Sequence, residues 1–200
     1  MMVRLHMHES FDLLRSIERL LIRGHLEEAK RFAETIAGAP DERGLGPWVV
    51  QATLVRARAA TLGRARTLDD ACRLEASLAA ACASCHVDAG VAIEFRASPP
   101  PPPDGPSVMA RMQRHRWAAD RLWEAIVGGV EQPWRAGLDV LAAAPLDWKE
   151  LAADRAPFGL ELRRLAQQAL RRELDTPADR ATAYGEILVA CAGCHTTPTR

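Results

Sequence analysis

Thr67-Leu68-Asp69-Asp70, followed at Cys82-Ala83-Ser84-Cys85-His86, has a second copy in Thr176-Pro177-Ala178-Asp179, followed at Cys191-Ala192-Gly193-Cys194-His195. One offset carries Thr67 onto Thr176 and Cys82 onto Cys191 without a gap. Each segment opens with Thr three residues before Asp, the pattern of a helix N-cap with an acidic first turn, and Pro177 stands where the first helical residue belongs. Each CxxCH is therefore expected at the end of a helix. On that helix positions i, i+3 and i+4 share a face, so Cys82, Cys85 and His86 can meet one flat ligand together.

Working outward, the repeat extends to the start of each half. Met7, Leu14, Ile17 and Leu21 fall over Met112, Ala119, Leu122 and Ile126, so the chain reads as a duplication. Between the copies runs Ser98-Pro99-Pro100-Pro101-Pro102-Pro103-Asp104-Gly105-Pro106. Its five consecutive prolines predict polyproline II, a semi-rigid spacer of roughly 15 Å. The expected organisation is a unit over 1–97, a Pro-rich linker over 98–106 and a second unit over 107–200. Apolar spacing and Gly/Pro breaks predict helices over 5–23, 25–37, 47–66 and from 67 in the first unit, with a loop over 38–46. The second unit predicts helices near 107–127, 131–143, 157–173 and 177–192, with a loop around Pro145 and Trp148. No alternating β-branched run signals a strand. The expected fold is all-α: two tandem four-helix bundles, each with a C-terminal CxxCH.

CxxCH is the signature of c-type haem attachment: two thiols add across the two vinyl groups and the imidazole takes the iron. With 5 Cys and 6 His in 200 residues, two such pentapeptides arise by chance in on the order of one chain in 10⁵. The same cysteines admit a four-cysteine zinc site assembled from both CxxC pairs, or a pair of dithiol redox motifs. Neither of these requires His after the second Cys in both copies.

Composition excludes other classes. Lys plus Arg and Asp plus Glu are both 26, so no net basic field exists to hold nucleic acid. No stretch approaches the roughly 20 apolar residues of a membrane helix.

The late position of CxxCH in each half resembles the class II cytochromes c, the cytochrome c′ and cytochrome c556 group, in which a four-helix bundle carries CxxCH near its C-terminus. The resemblance covers each half separately; the tandem, diheme arrangement departs from the usual single-domain form. It implies two haem c groups, with Cys82, Cys85, Cys191 and Cys194 as covalent anchors and His86 and His195 as proximal iron ligands. In the c556 type a Met from the first helix is the distal ligand, whereas cytochrome c′ leaves the iron five-coordinate. All methionines here lie at or just before the first helix of a half, at Met1, Met2, Met7, Met109 and Met112. Met7, Ser10, Leu14, Ile17 and Leu21 define one inward seam, and Met112, His115, Ala119, Leu122 and Ile126 its counterpart. Met7 and Met112 are thus candidate distal ligands. His115 on the second seam and His8 beside Met7 are the alternatives, and apolar cover over an open iron remains a further one.

The function expected from this resemblance is electron transfer with redox partner proteins, without substrate turnover. The alternative is a cytochrome c′-like protein that binds or senses NO or CO at an open haem. A small diheme peroxidase is the weakest reading, because no separate acid and base constellation stands out. Covalent haem attachment in bacteria takes place outside the cytoplasmic membrane, so a periplasmic or otherwise exported protein is expected, with a leader upstream of Met1. Cys72, which has Ala181 as its counterpart, reads as a small buried core residue, with a free reactive thiol as the alternative. His25 reads as a solvated or capping residue at a helix junction. Trp48, Trp117, Trp123, Trp134 and Trp148 read as bundle packing or haem cover. Arg163-Arg164 and Arg171-Arg172 read as solvated surface with the option of propionate pairing.

Overall fold

The computed structural model describes residues 2–39, 46–91, 93, 95, 99–143, 153–172, 174 and 176–196. Among these the regular structure is entirely helical: α1 (Met2–Ile22), α2 (Leu26–Ala37), α3 (Val49–Leu62), α4 (Leu68–Asp88), α5 (Val108–Gly128), α6 (Glu131–Ala143), α7 (Ala156–Leu170) and α8 (Pro177–Thr196). The chain is all-α, as expected. A 3₁₀ turn, Gly46–Trp48, precedes α3. That helix stops at Leu62, four residues earlier than expected, because Gly63 caps it. The loop expected around Pro145 and Trp148, and most of the one over 38–46, lie outside the described residues.

Local chemistry accounts for the helix starts. The Asp70 N–H donates to Thr67 Oγ1 at 3.1 Å and the Asp179 N–H to Thr176 Oγ1 at 3.1 Å. Both expected N-caps therefore exist, each satisfying an orphan donor of the first turn. The Ala110 N–H donates likewise to Ser107 Oγ at 3.2 Å, so α5 is capped where the spacer ends. The α1–α2 and α5–α6 turns hinge on Gly24 and Gly129, with φ of +79° and +68°. Only glycine adopts that backbone without strain.

Helices α1 to α4 pack in sequence, each on the next, and α4 returns to α1; α5 to α8 do the same. The most extensive packing nonetheless joins the halves, along α4 and α8. Small residues permit it: Ala71, Ala76 and Ala79 on α4 and Ala181, Gly185 and Ala192 on α8 are buried. A Cβ on Gly185 would stand 3.1 Å from Arg73 Cα, so the glycine is what lets the two backbones close up. Arg73 pairs with Glu186 at 2.6 Å beside this crossing, while Cys72 senses Cys191. Moving toward the N-terminus of α4 thus moves toward the C-terminus of α8, and the two helices are antiparallel.

One buried apolar cluster runs through both halves, from Leu14, Ile17, Leu21 and Leu78 to Leu122, Ile126, Ile187 and Leu188. Each such fully buried aliphatic side chain contributes about 1.5–3 kcal/mol relative to exposure. The spans 1–97 and 107–200 are therefore units of sequence, and they share a core. The Pro-rich segment does not act as the expected spacer between two separate cores. It lies back along α5, where Trp117 Nε1 donates to the Pro99 carbonyl at 2.9 Å and Arg114 Nη1 to the Pro102 carbonyl at 2.6 Å. No described helix is long and apolar enough to cross a membrane.

Candidate functional site

Both CxxCH motifs lie in the last turns of their helices, Cys82 to His86 on α4 and Cys191 to His195 on α8. The antiparallel pairing sends them to opposite ends of the molecule. Cys82 and Cys191 each lie beyond the Ala76 to Gly185 crossing by roughly 9 Å at 1.5 Å per residue, in opposite directions. The two pairs are thus roughly 18 Å apart along the helices, too far to share a tetrahedral ion with bonds of about 2.3 Å. Among the described residues no group of three or more His, Cys, Asp or Glu converges as a metal cluster. The single zinc site from both CxxC pairs is not assembled.

The thiols themselves speak against dithiol exchange. Burial, then Cys85 and Glu75, pushes Cys82 up to about 12, and burial, then Cys194 and Glu18, pushes Cys191 up to about 12. Burial also raises Cys85 and Cys194. Dithiol oxidoreductases need a thiolate stabilised near neutral pH, the reverse of this setting. Cys72 is fully buried in the core, as expected, and burial raises its thiol as well.

The first histidine is held from the other half of the chain. His86 Nδ1 lies 3.1 Å from the Val127 carbonyl near the end of α5. A carbonyl only accepts, so Nδ1 carries the hydrogen and Nε2 keeps its lone pair. This is the arrangement by which a ligating imidazole is usually oriented. His195 is more open to solvent; partial burial and then Arg155 and Arg23 lower its pKa. Partly buried Phe158 from α7 packs over the second motif, its ring filling the place a side chain on Gly193 would take.

The seams predicted on the first helices are buried at one end. Leu14, Ile17, Leu21, Leu122 and Ile126 are buried, while Met7, Ser10, Met112, His115 and Ala119 are half-buried. His8 is exposed. Burial first, then His195 and Arg114, lowers His115 to about 4. At neutral pH it is therefore an uncharged imidazole, the form that ligates iron. His25 is exposed, with Nδ1 3.8 Å from Glu28. Arg164 pairs with Glu161 at the surface, at 2.6 Å.

Sequence reasoning missed the polar layer between the halves. Arg15 on α1 pairs with Asp120 on α5 and, at 2.7 Å, with Glu18. Glu18 accepts from the Tyr184 hydroxyl on α8, and Glu75 on α4 accepts from Trp123 Nε1 at 3.2 Å. Burial raises both carboxyl groups, Glu75 well above the usual carboxylate range. Glu75 Oε2 is buried without a hydrogen-bond partner. Each of these residues sits on a core-facing stripe where an isolated polar letter offers no indication of its partner.

Two thiols and an imidazole on one helix face, with Nε2 left free at His86, suit c-type haem in donor chemistry. No family model, curated protein or solved structure matches the chain.

Proposed function

We propose that this protein is a diheme c-type cytochrome that carries electrons, built as two four-helix bundles, α1–α4 and α5–α8, in the manner of the class II cytochromes c. One observation carries the reading: CxxCH closes two equivalent helices, and the first of its histidines is pinned through Nδ1 with Nε2 left for iron. Cys82 and Cys85, and likewise Cys191 and Cys194, would hold the two haems as thioethers. His86 and His195 would be the proximal ligands. Met7 and Met112 would be the leading candidates for a second iron ligand, with His115 and His8 as alternatives.

When bound, haem iron supplies one-electron exchange between its ferrous and ferric states. The chain's own part is to orient and to exclude water. Val127 fixes the His86 ring, Phe158 packs over the second motif, and burial keeps His115 neutral. The partners are redox proteins rather than a substrate, and covalent haem attachment implies an exported, periplasmic setting.

The test is the denatured mass together with the optical spectrum of the reduced protein before and after carbon monoxide. A mass excess of two haems and a spectrum indifferent to carbon monoxide are expected. A large Soret shift would mark an open iron and favour NO or CO binding as in cytochrome c′. Absence of covalent haem would overturn the proposal.

A further inference from the structure

The contacts between the halves obey a twofold relation. The correspondence that lays Met7 on Met112 also lays Arg15 on Asp120, Glu18 on Trp123 and Gly24 on Gly129. The correspondence of the two CxxCH motifs lays Glu75 on Tyr184 and Val87 on Thr196. The observed pairs are reciprocal under this mapping. Glu18 meets Tyr184 and Trp123 meets Glu75, the same two positions taken in either direction. Thr196 packs on Gly24, and Val87 on Gly129, where a Cβ would stand 3.5 Å from Val87 Cγ2. Arg15 and Asp120 occupy one position twice and pair with each other.

The residues at these related positions differ in a directed way. Two copies of the first half, joined in this geometry, would set Arg15 against Arg15 and would leave Glu18 and Glu75 without the Tyr184 and Trp123 donors. Two copies of the second half would set Asp120 against Asp120. Like charges brought together out of water are strongly unfavourable, and such juxtapositions are how interfaces reject wrong partners. Only the unlike combination sets cation against anion at the shared position and gives both Glu18 and Glu75 a donor from the other half. It also seats each CxxCH end on the first turn of the opposite half, including the His86 contact with Val127.

We infer that the two halves are a mutually specified pair: each is the binding partner of the other, the interface discriminates against a second copy of either half, and the Pro-rich segment is a tether that this pairing does not need. The inference concerns the protein surface and holds whether or not haem is attached.

A protease recognition sequence inserted between Gly105 and Pro106 of the whole chain, cut after folding, tests it. Native mass spectrometry of the cut protein is expected to give one fragment of each kind bound together. Mixing with a mass-labelled cut protein is expected to give exchange into unlike pairs only. In the cut protein Asp120→Arg should weaken the pair by roughly thirtyfold or more, and adding Arg15→Asp should recover most of that loss. Fragments that separate or unfold on cutting at micromolar concentration would overturn the inference, as would like pairs formed as readily as unlike ones. An Asp120→Arg substitution without effect on the pairing would overturn it too.

Discussion

At the end of α4 the residue before the second cysteine is Ser84, exposed, its hydroxyl turned back to the Ala80 carbonyl at 3.0 Å. At the end of α8 the same position is Gly193, over which the Phe158 ring closes. The seam opposite carries Ser10 beside Met7 in one half and His115 beside Met112 in the other. The repeat thus preserves the cysteine and histidine spacing and the Met7 and Met112 positions, and lets other residues around the motifs diverge. On the proposed haem reading the two sites would share one chemistry in different surroundings, the usual means by which proteins separate the potentials of like cofactors.

The largest expected effect tests whether the sites are separate at all. Cys82→Ala with Cys85→Ala should lower the denatured mass by one haem, and Cys191→Ala with Cys194→Ala by one more. An unchanged mass in either variant would remove that motif from the haem reading. The next test addresses the seams. His115→Ala should alter the spectrum of one haem of the two, whereas Ser10→Ala should leave both unchanged; equal shifts in the two variants would dissolve the contrast between the halves.

Stability distinguishes the reciprocal polar pairs. Glu75 has a folded pKa raised by burial, so the native state keeps a proton that the unfolded chain releases near its ordinary value of 4.5. Stability supplied by that retained proton is present at low pH and is lost as pH rises from that ordinary value toward the folded one. Glu75→Gln should therefore increase the stability of the fold progressively above pH 5, by on the order of 1–3 kcal/mol once the unfolded carboxyl is ionised, read as a rising melting temperature. Glu18→Gln should give a smaller gain or none, because Arg15 and Tyr184 partly offset the burial that raises this carboxyl and the substitution removes its ion pair with Arg15. A flat difference between wild type and Glu75→Gln from pH 4 to 9 would mean that Glu75 is not held protonated.

The smallest effect concerns the motif interiors. Gly193→Ala must move the Phe158 ring, and overpacking of about 1–3 kcal/mol exceeds the helix-propensity gain of about 1 kcal/mol. Ser84→Ala should change stability by less than about 0.5 kcal/mol. Thermal unfolding of the two variants sets them side by side.

Much of this was legible in the chain. The Thr67 and Thr176 caps, the ends of α6 and the burial of Leu14, Ile17 and Leu21 follow from local spacing, because a helix writes its period into its own residues. The meeting of α4 with α8 was not legible. Ala76 and Gly185 read as good and poor helix formers respectively, and nothing local says that both are small in order to touch. The same holds for His86, whose motif announces a ligand while its orienting partner, the Val127 carbonyl, is a backbone atom without a residue type.

The pair Arg15 and Asp120 carries a chronology. In a symmetric dimer of identical chains a residue on the twofold axis faces its own copy, and no single substitution can place opposite charges there. Two linked copies are free of that constraint, since each can change alone. The ion pair at this position is thus younger than the duplication that the repeat implies.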